Sequence, residues 1–185
     1  MIRFFDIIFS FLGLVLFSPI FLFLFLIGYF YTGSPIFRQL RVGKNMKTFL
    51  LFKFRTMHVN TQSVATHLVH QSSITWFGSF LRKTKLDELP QLYNVLIGDM
   101  SFVGPRPNLF NQQELIEERA KRGLYSVRPG ITGLAQINKI DMSTPELLAE
   151  NDAKMISQLN MWHYFKYIFL TVFGKGYGDT VRKYD

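Results

Sequence analysis

Two adjacent carboxylates, Asp87 and Glu88, stand just after Arg82, Lys83 and Lys85 and just before Leu89-Pro90-Gln91-Leu92. Adjacent acids can divide two tasks on a phosphorylated substrate: one attacks phosphorus, and the other helps hold Mg²⁺ or manages a proton. Taken alone, such a pair is more often a helix cap. Pro90 is tolerated within a first helical turn but no deeper, so the spacing predicts a helix from near Asp87 to Ile97. Both acids then sit at the positive end of the helix dipole, which favours their ionised forms. The basic residues just upstream raise the pair from a cap to a candidate chemical centre.

Two further segments offer anion-binding groups. In Gly104-Pro105-Arg106-Pro107, two prolines limit the backbone freedom of Arg106, and a rigidly presented guanidinium suits bidentate phosphate contact. In Arg128-Pro129-Gly130-Ile131-Thr132-Gly133, an arginine precedes a loop whose glycines allow close backbone approach to a ligand. Neither a Walker-type phosphate loop nor a dinucleotide-binding glycine fingerprint occurs. His58, His67 and His70 have no acidic neighbours and read as surface residues of a polar loop over 58–75. The absence of cysteine excludes disulfides, thiolate catalysis and Cys-ligated zinc. A net charge of +8 suits an anionic partner: nucleic acid, an acidic membrane surface or a phosphorylated small molecule. Most aromatics lie in apolar segments rather than among basic residues, which disfavours nucleic acid. A basic membrane-surface binder or a non-catalytic scaffold is the competing class.

The elements that must position these groups begin with an uncharged run from Ile7 to Tyr31. It is long enough for a bilayer core and too long for a signal peptide. Nine of the 20 phenylalanines fall between Phe4 and Phe30, an odd density for a soluble core. Ser18-Pro19 interrupts the run. Proline removes a backbone donor there, and the Ser18 hydroxyl can satisfy the freed carbonyl. The outcome is a kinked span or a re-entrant helix–break–helix. The basic residues after the run place the chain beyond it in the cytoplasm. Ile36–Gln39 and Thr48–Phe54 read as short strands around a Gly43-Lys44-Asn45 turn. Helices are predicted from Trp76 to Arg82, from after Pro107 to Gly123, and from Ser143, with Ser143 as N-cap and Glu146 as its capping-box partner. A last, aromatic-rich helix, Leu159–Phe173, fits an interfacial position on the bilayer or, almost equally, a core helix. Gly174-Lys175-Gly176-Tyr177-Gly178 reads as a flexible tail. The length allows one domain, 1–185.

Lys53-Phe54-Arg55-Thr56-Met57, Asp87-Glu88-Leu89-Pro90-Gln91-Leu92, Asn94-Val95-Leu96, Gly98 to Pro107 and Arg128 to Gly133 together resemble the bacterial sugar transferase family, the monotopic polyprenyl-phosphate phosphoglycosyl transferases. The resemblance covers nearly the whole chain. It implies an α+β fold, mainly helical with a small β element. Residues 1–32 would form a re-entrant membrane helix broken at Ser18-Pro19, and 33–185 a cytosol-facing catalytic core with interfacial helices, at the bacterial inner membrane. It implies that Asp87 attacks the β-phosphate of a UDP-sugar, releases UMP and passes the sugar phosphate to undecaprenyl phosphate, with Mg²⁺ required. Glu88 would be its metal or proton partner. Arg106, Arg128 and Lys53 would contact phosphate, and Asp152, Arg55, Pro105 and Gln136 would complete the site. An N-acetylhexosamine is the expected sugar. Where many relatives have Gly-Trp-Ala-Gln and Asn-Gly-Arg, this chain has Gly133-Leu134-Ala135-Gln136 and Asn138-Lys139-Ile140, which bears on the donor. Membrane lipids are expected partners, a homodimer is left open, and the chain reads as a minimal catalytic core.

Overall fold

The computed structural model describes residues 1–59, 61 and 73–174. His67, His70 and the glycine-rich stretch 176–178 lie outside the described residues. The fold is mainly helical, with two small sheets.

The apolar run forms two helices, α1 (Ile2–Leu16) and α2 (Ser18–Thr32), which meet at a 62° bend. Pro19 lies in the first turn of α2, where its missing N–H costs nothing, and the Ser18 hydroxyl donates to the Val15 carbonyl at 2.8 Å. The break therefore has the cause its sequence suggests. No single helix among the described residues is long and apolar enough to cross a membrane; the bent pair together meets that length and composition.

Strands β1 (Ile36–Val42) and β2 (Thr48–Phe54) form an antiparallel hairpin, with Asn45 in left-handed backbone at its turn. Helix α3 (Trp76–Thr84) is capped by the Thr75 hydroxyl, which accepts from the Gly78 amide at 2.9 Å. Gly78 lets α3 press onto the end of β2: a Cβ there would lie 1.9 Å from the Thr56 carbonyl oxygen. Helix α4 (Gln91–Ile97) is tied to β2 by Asn94, whose Nδ2 donates to the Leu50 carbonyl at 2.8 Å and whose Oδ1 accepts from the Phe52 amide at 3.1 Å.

A second sheet was not legible in the sequence. Strands β3 (Ser101–Val103) and β4 (Gly130–Thr132) pair in parallel and join the two arginine-proline loops. Gly104 and Gly130 permit it, since a Cβ on Gly104 would meet the Arg128 carbonyl at 2.4 Å and one on Gly130 the Gly104 amide at 2.1 Å. Helices α5 (Gln113–Lys121), α6 (Leu134–Ile137), α7 (Pro145–Gln158) and α8 (Met161–Val172) complete the chain.

The apolar interior lies in connected groups. Leu24, Phe54, Phe77 and Leu81 join α2, β2 and α3. Val103, Met155, Tyr164 and Tyr167 join β3, α7 and α8, with Ile2, Phe5 and Phe9 of α1 packed against them. Helix α1 also runs along α4. The expected capping box at α7 does not form. Thr144, not Ser143, is its N-cap, and Ser143 instead donates through amide and hydroxyl to Asp141 Oδ1, at 2.8 and 2.5 Å. Asp141 is nearer than the first helical turn and closes a local turn of its own.

Candidate active site

Asp87 and Glu88 are not in the first turn of α4. They occupy a separate 3₁₀ turn, Leu86–Glu88, entered through Lys85 in left-handed backbone (φ 59°). Pro90 then serves as the N-cap of α4, so the proline that bounds the helix lies after the acids. The two carboxylates still precede the positive end of α4. Asp87 is buried, at 5% exposure.

Two cations from distant segments converge on Glu88. Arg106 donates from Nη2 to Glu88 Oε1 at 2.7 Å, and Lys53 Nζ lies 3.6 Å from the same oxygen. Each side chain is no more than 16% exposed, so little water screens the three charges. Lys53 comes from β2, Arg106 from the loop after β3, and Glu88 from the 3₁₀ turn. A cleft beside them is lined by Arg41, Lys53, Gln91, Arg106, Pro107 and Gly130, among others. Arg41, Lys53 and Arg106 thus line this cleft, two of them reaching Glu88, and their positive charge suits a polyanionic ligand.

Asp152 is fully buried on α7 and lies behind this cleft. Its Oδ2 accepts from Arg119 Nη2 at 2.7 Å and Nε at 3.1 Å. Arg119 Nη1 in turn donates to the Arg106 carbonyl at 2.8 Å and to Asn108 Oδ1 at 3.0 Å. Asp152 therefore acts through Arg119 on the backbone that presents Arg106. Burial pushes the Asp152 carboxyl above its ordinary range, against the opposing pull of Arg119.

The other expected residues fall in distinct places. Pro105 is buried at the sheet junction, where its carbonyl accepts from the Gly130 amide at 2.9 Å. Arg128 donates from Nε to the Gly98 carbonyl at 2.8 Å, just past the end of α4. Arg55 braces the connection from α2 to β1, donating to the Ser34 carbonyl at 2.8 Å and its hydroxyl at 3.2 Å. Gln136 is buried on α6, with its side-chain oxygen close to Gly133. Ser18 and Pro19 form the bend between α1 and α2. Lys85, one of the basic residues ahead of the acids, donates to the Thr171 carbonyl at 3.3 Å.

With the geometry in place, the chain can be set beside known proteins. The family model described as "Bacterial sugar transferase" matches residues 1–175. This chain belongs to the bacterial sugar transferase family. Among curated members, it is 43% identical over 184 residues to a UDP-glucose:undecaprenyl-phosphate glucose-1-phosphate transferase of Klebsiella pneumoniae, which covers 93% of this chain and 39% of the relative. It is 37% identical over 187 residues to an uncharacterized sugar transferase of Haemophilus influenzae, covering 90% of this chain and 39% of the relative. It is 42% identical over 141 residues to the uncharacterized sugar transferase EpsL of Bacillus subtilis, covering 76% of this chain and 69% of the relative. The chain thus spans about two fifths of the length of the first two.

Two residues of this candidate site had no motif to announce them. Arg41 is buried, donating to the Pro107 carbonyl at 3.1 Å and to Gln39 Oε1 at 2.5 Å. The hairpin register puts Gln39, Arg41, Leu51 and Lys53 on one face of the sheet, so strand alternation was the available signal. Arg119 follows buried Leu115 by four residues, which places it on the inward face of α5.

Proposed function

We propose that this chain transfers a hexose 1-phosphate from a UDP-hexose to undecaprenyl phosphate. In the first step an oxygen of the Asp87 carboxylate attacks the β-phosphorus. The bond from that phosphorus to the bridging oxygen breaks, and UMP departs with the electron pair. In the second step a phosphate oxygen of the acceptor attacks the same phosphorus, restores the Asp87 carboxylate and leaves as polyprenyl diphosphosugar.

The observation that carries this reading is the delivery of Arg106 and Lys53 onto Glu88, beside buried Asp87. Cations fixed in a poorly hydrated cleft stabilise charge that builds on a diphosphate during transfer. A second feature supports a lipid acceptor. A cavity of about 250 Å³, lined by Gly13, Phe17, Phe21, Phe25, Leu89 and Leu92 among others, opens at the bend between α1 and α2. Leu89 comes directly after Glu88, so an apolar chain lying there would bring its headgroup to the acids. Large apolar side chains on α1 and α2, including Phe4, Phe11, Leu16, Phe23 and Phe30, face outward, as do Trp162, Phe169 and Phe173 at α8. Such surfaces suit a re-entrant, monotopic seat in the bacterial cytoplasmic membrane, with the cleft toward the cytoplasm.

Mg²⁺ fits the donor set as an ion shared with substrate. Among the described residues, no group of three or more His, Cys, Asp or Glu forms a protein cage. A Mg²⁺ ion bound through substrate phosphates needs only one or two carboxylates, here Asp87 and Glu88. It would supply charge neutralisation on the diphosphate. Relatives carry glucose and galactose in their names, as in an undecaprenyl-phosphate galactose phosphotransferase of Salmonella typhimurium. The proposal is therefore held at a UDP-hexose, with an N-acetylated donor as one arm of the test.

The test is UMP release from a panel of UDP-sugars, in detergent with Mg²⁺ and undecaprenyl phosphate. One donor is expected to turn over, and Asp87→Asn to be inactive. No UMP from any donor would refute the function, and turnover by Asp87→Asn would refute the nucleophile.

A further inference from the structure

The first acid in this chain is Asp6, and no other occurs before Asp87. It lies inside α1, an otherwise apolar helix, and is 1% exposed. A carboxylate is costly to bury unless several donors meet it. Here three donors share its Oδ1: Ser101 Oγ at 3.0 Å, the Phe102 amide at 3.1 Å and Tyr164 Oη at 2.9 Å. Burial and the Asp6 charge both push the Tyr164 hydroxyl up, which keeps it a donor. One turn away on α1, Arg3 donates to the Val95 carbonyl at 2.5 Å and the Leu96 carbonyl at 2.7 Å.

These contacts reach both halves of the site. Ser101 and Phe102 belong to β3, which runs directly into the loop that presents Arg106. Val95 and Leu96 lie in the last turn of α4, whose N-cap Pro90 follows the Asp87–Glu88 turn by two residues. The two pegs stand three residues apart on one rigid helix, so their spacing is fixed by helix geometry.

We propose that α1 is a working part of the active site. Asp6 and Arg3 are positioning residues that set the distance between the turn bearing Asp87–Glu88 and the loop bearing Arg106. The inference rests on the proposed reaction only for its kinetic readout. Its geometric readout is independent of any activity.

The experiment uses the whole chain in detergent. Because there is no native cysteine, spin labels attach only at introduced sites, here Tyr93→Cys on α4 and Phe110→Cys beyond the Arg106 loop, both exposed. Asp6→Leu removes the shared acceptor and is expected to shift or broaden the 93–110 distance. In unlabelled folded protein it is expected to lower kcat by roughly 10- to 100-fold with the UDP-hexose KM little changed, the scale of loss when reacting groups move by about 1 Å. Asp6→Asn keeps the Oδ1 acceptor and should restore a narrow distance and most of kcat. A merely stabilising Asp6 would lower the melting temperature but leave the distance and kcat of folded protein at parental values. A parental distance in folded Asp6→Leu overturns the proposal, whatever its turnover. Should Asp6→Leu not fold, Ser101→Ala removes one donor from the same oxygen and must move the distance in the same sense, and an unmoved distance there overturns it equally. If the parent turns over no donor, the proposed reaction fails while the distance still decides this inference.

Discussion

Arg119→Met isolates the buried charge pair behind Arg106. The change keeps an apolar stem but leaves Asp152, 0% exposed at its side chain, as an uncompensated acid. Removing one partner of a buried pair costs about 3–5 kcal/mol. For a chain of this size each kcal/mol lowers Tm by about 2–4 °C, so the expected drop is roughly 6–20 °C. Activity should fall further than stability, because Arg119 also fixes the Arg106 carbonyl. The double variant Asp152→Leu/Arg119→Met separates the two effects. It removes both charges and should recover most of the stability, since apolar replacement of a buried pair is often neutral or better. It should not recover kcat. The assays are thermal unfolding in detergent and UMP release measured well below Tm. Parental stability in Arg119→Met, or parental kcat in the double variant, would refute the reasoning.

The same contacts set three other outcomes. Burial raises the Asp152 pKa in the folded state, so its contribution is greatest at acid pH and declines as pH rises through the raised value. Relative to Asp152→Asn, the parent should therefore lose stability as pH rises from the acid side in denaturant titrations; a relative gain would mean that Arg119 outweighs burial. Asn94→Ala strips partners from the Leu50 carbonyl and the Phe52 amide, and should cost about 2–5 kcal/mol by the same measurement. Arg106→Lys keeps the charge but loses the planar fork, and should lower kcat/KM for the UDP-hexose by about 10²-fold with Tm unchanged.

Legibility in the sequence tracked how local each cause was. The bend at Ser18-Pro19, the hairpin around Asn45 and the stop of α5 near Gly123 rest on residues within a few positions of the event, and each is found where its residues point. The start of α4 was misplaced because Lys85 adopts left-handed backbone and diverts the acids into a 3₁₀ turn, which no composition announces. The parallel pairing of β3 with β4 was invisible. Three-residue strands carry no readable alternation, and the pair is specified by close contact between Gly104 and Gly130, far apart in sequence. The site divided in the same way. Arg106 and Lys53 were legible from their motifs, and the structure brings both to Glu88. Asp152 was legible as a residue but not as one acting through Arg119, because a buried pair across 33 positions leaves no periodic trace.

The hydrogen bond from Tyr164 to Asp6 spans 158 positions of the chain. A ribosome makes Asp6 158 positions before Tyr164. Throughout synthesis, α1 therefore waits with a carboxylate lacking one of its three donors, and contacts that close loops this long form late in folding. Asp6 acquires Tyr164 only after the acids, the arginine loops and α7 have all been made. A nascent chain arrested before α8 would hold Asp87 and Arg106 but lack this clasp, so synthesis of α8 doubles as a checkpoint on assembly of the site.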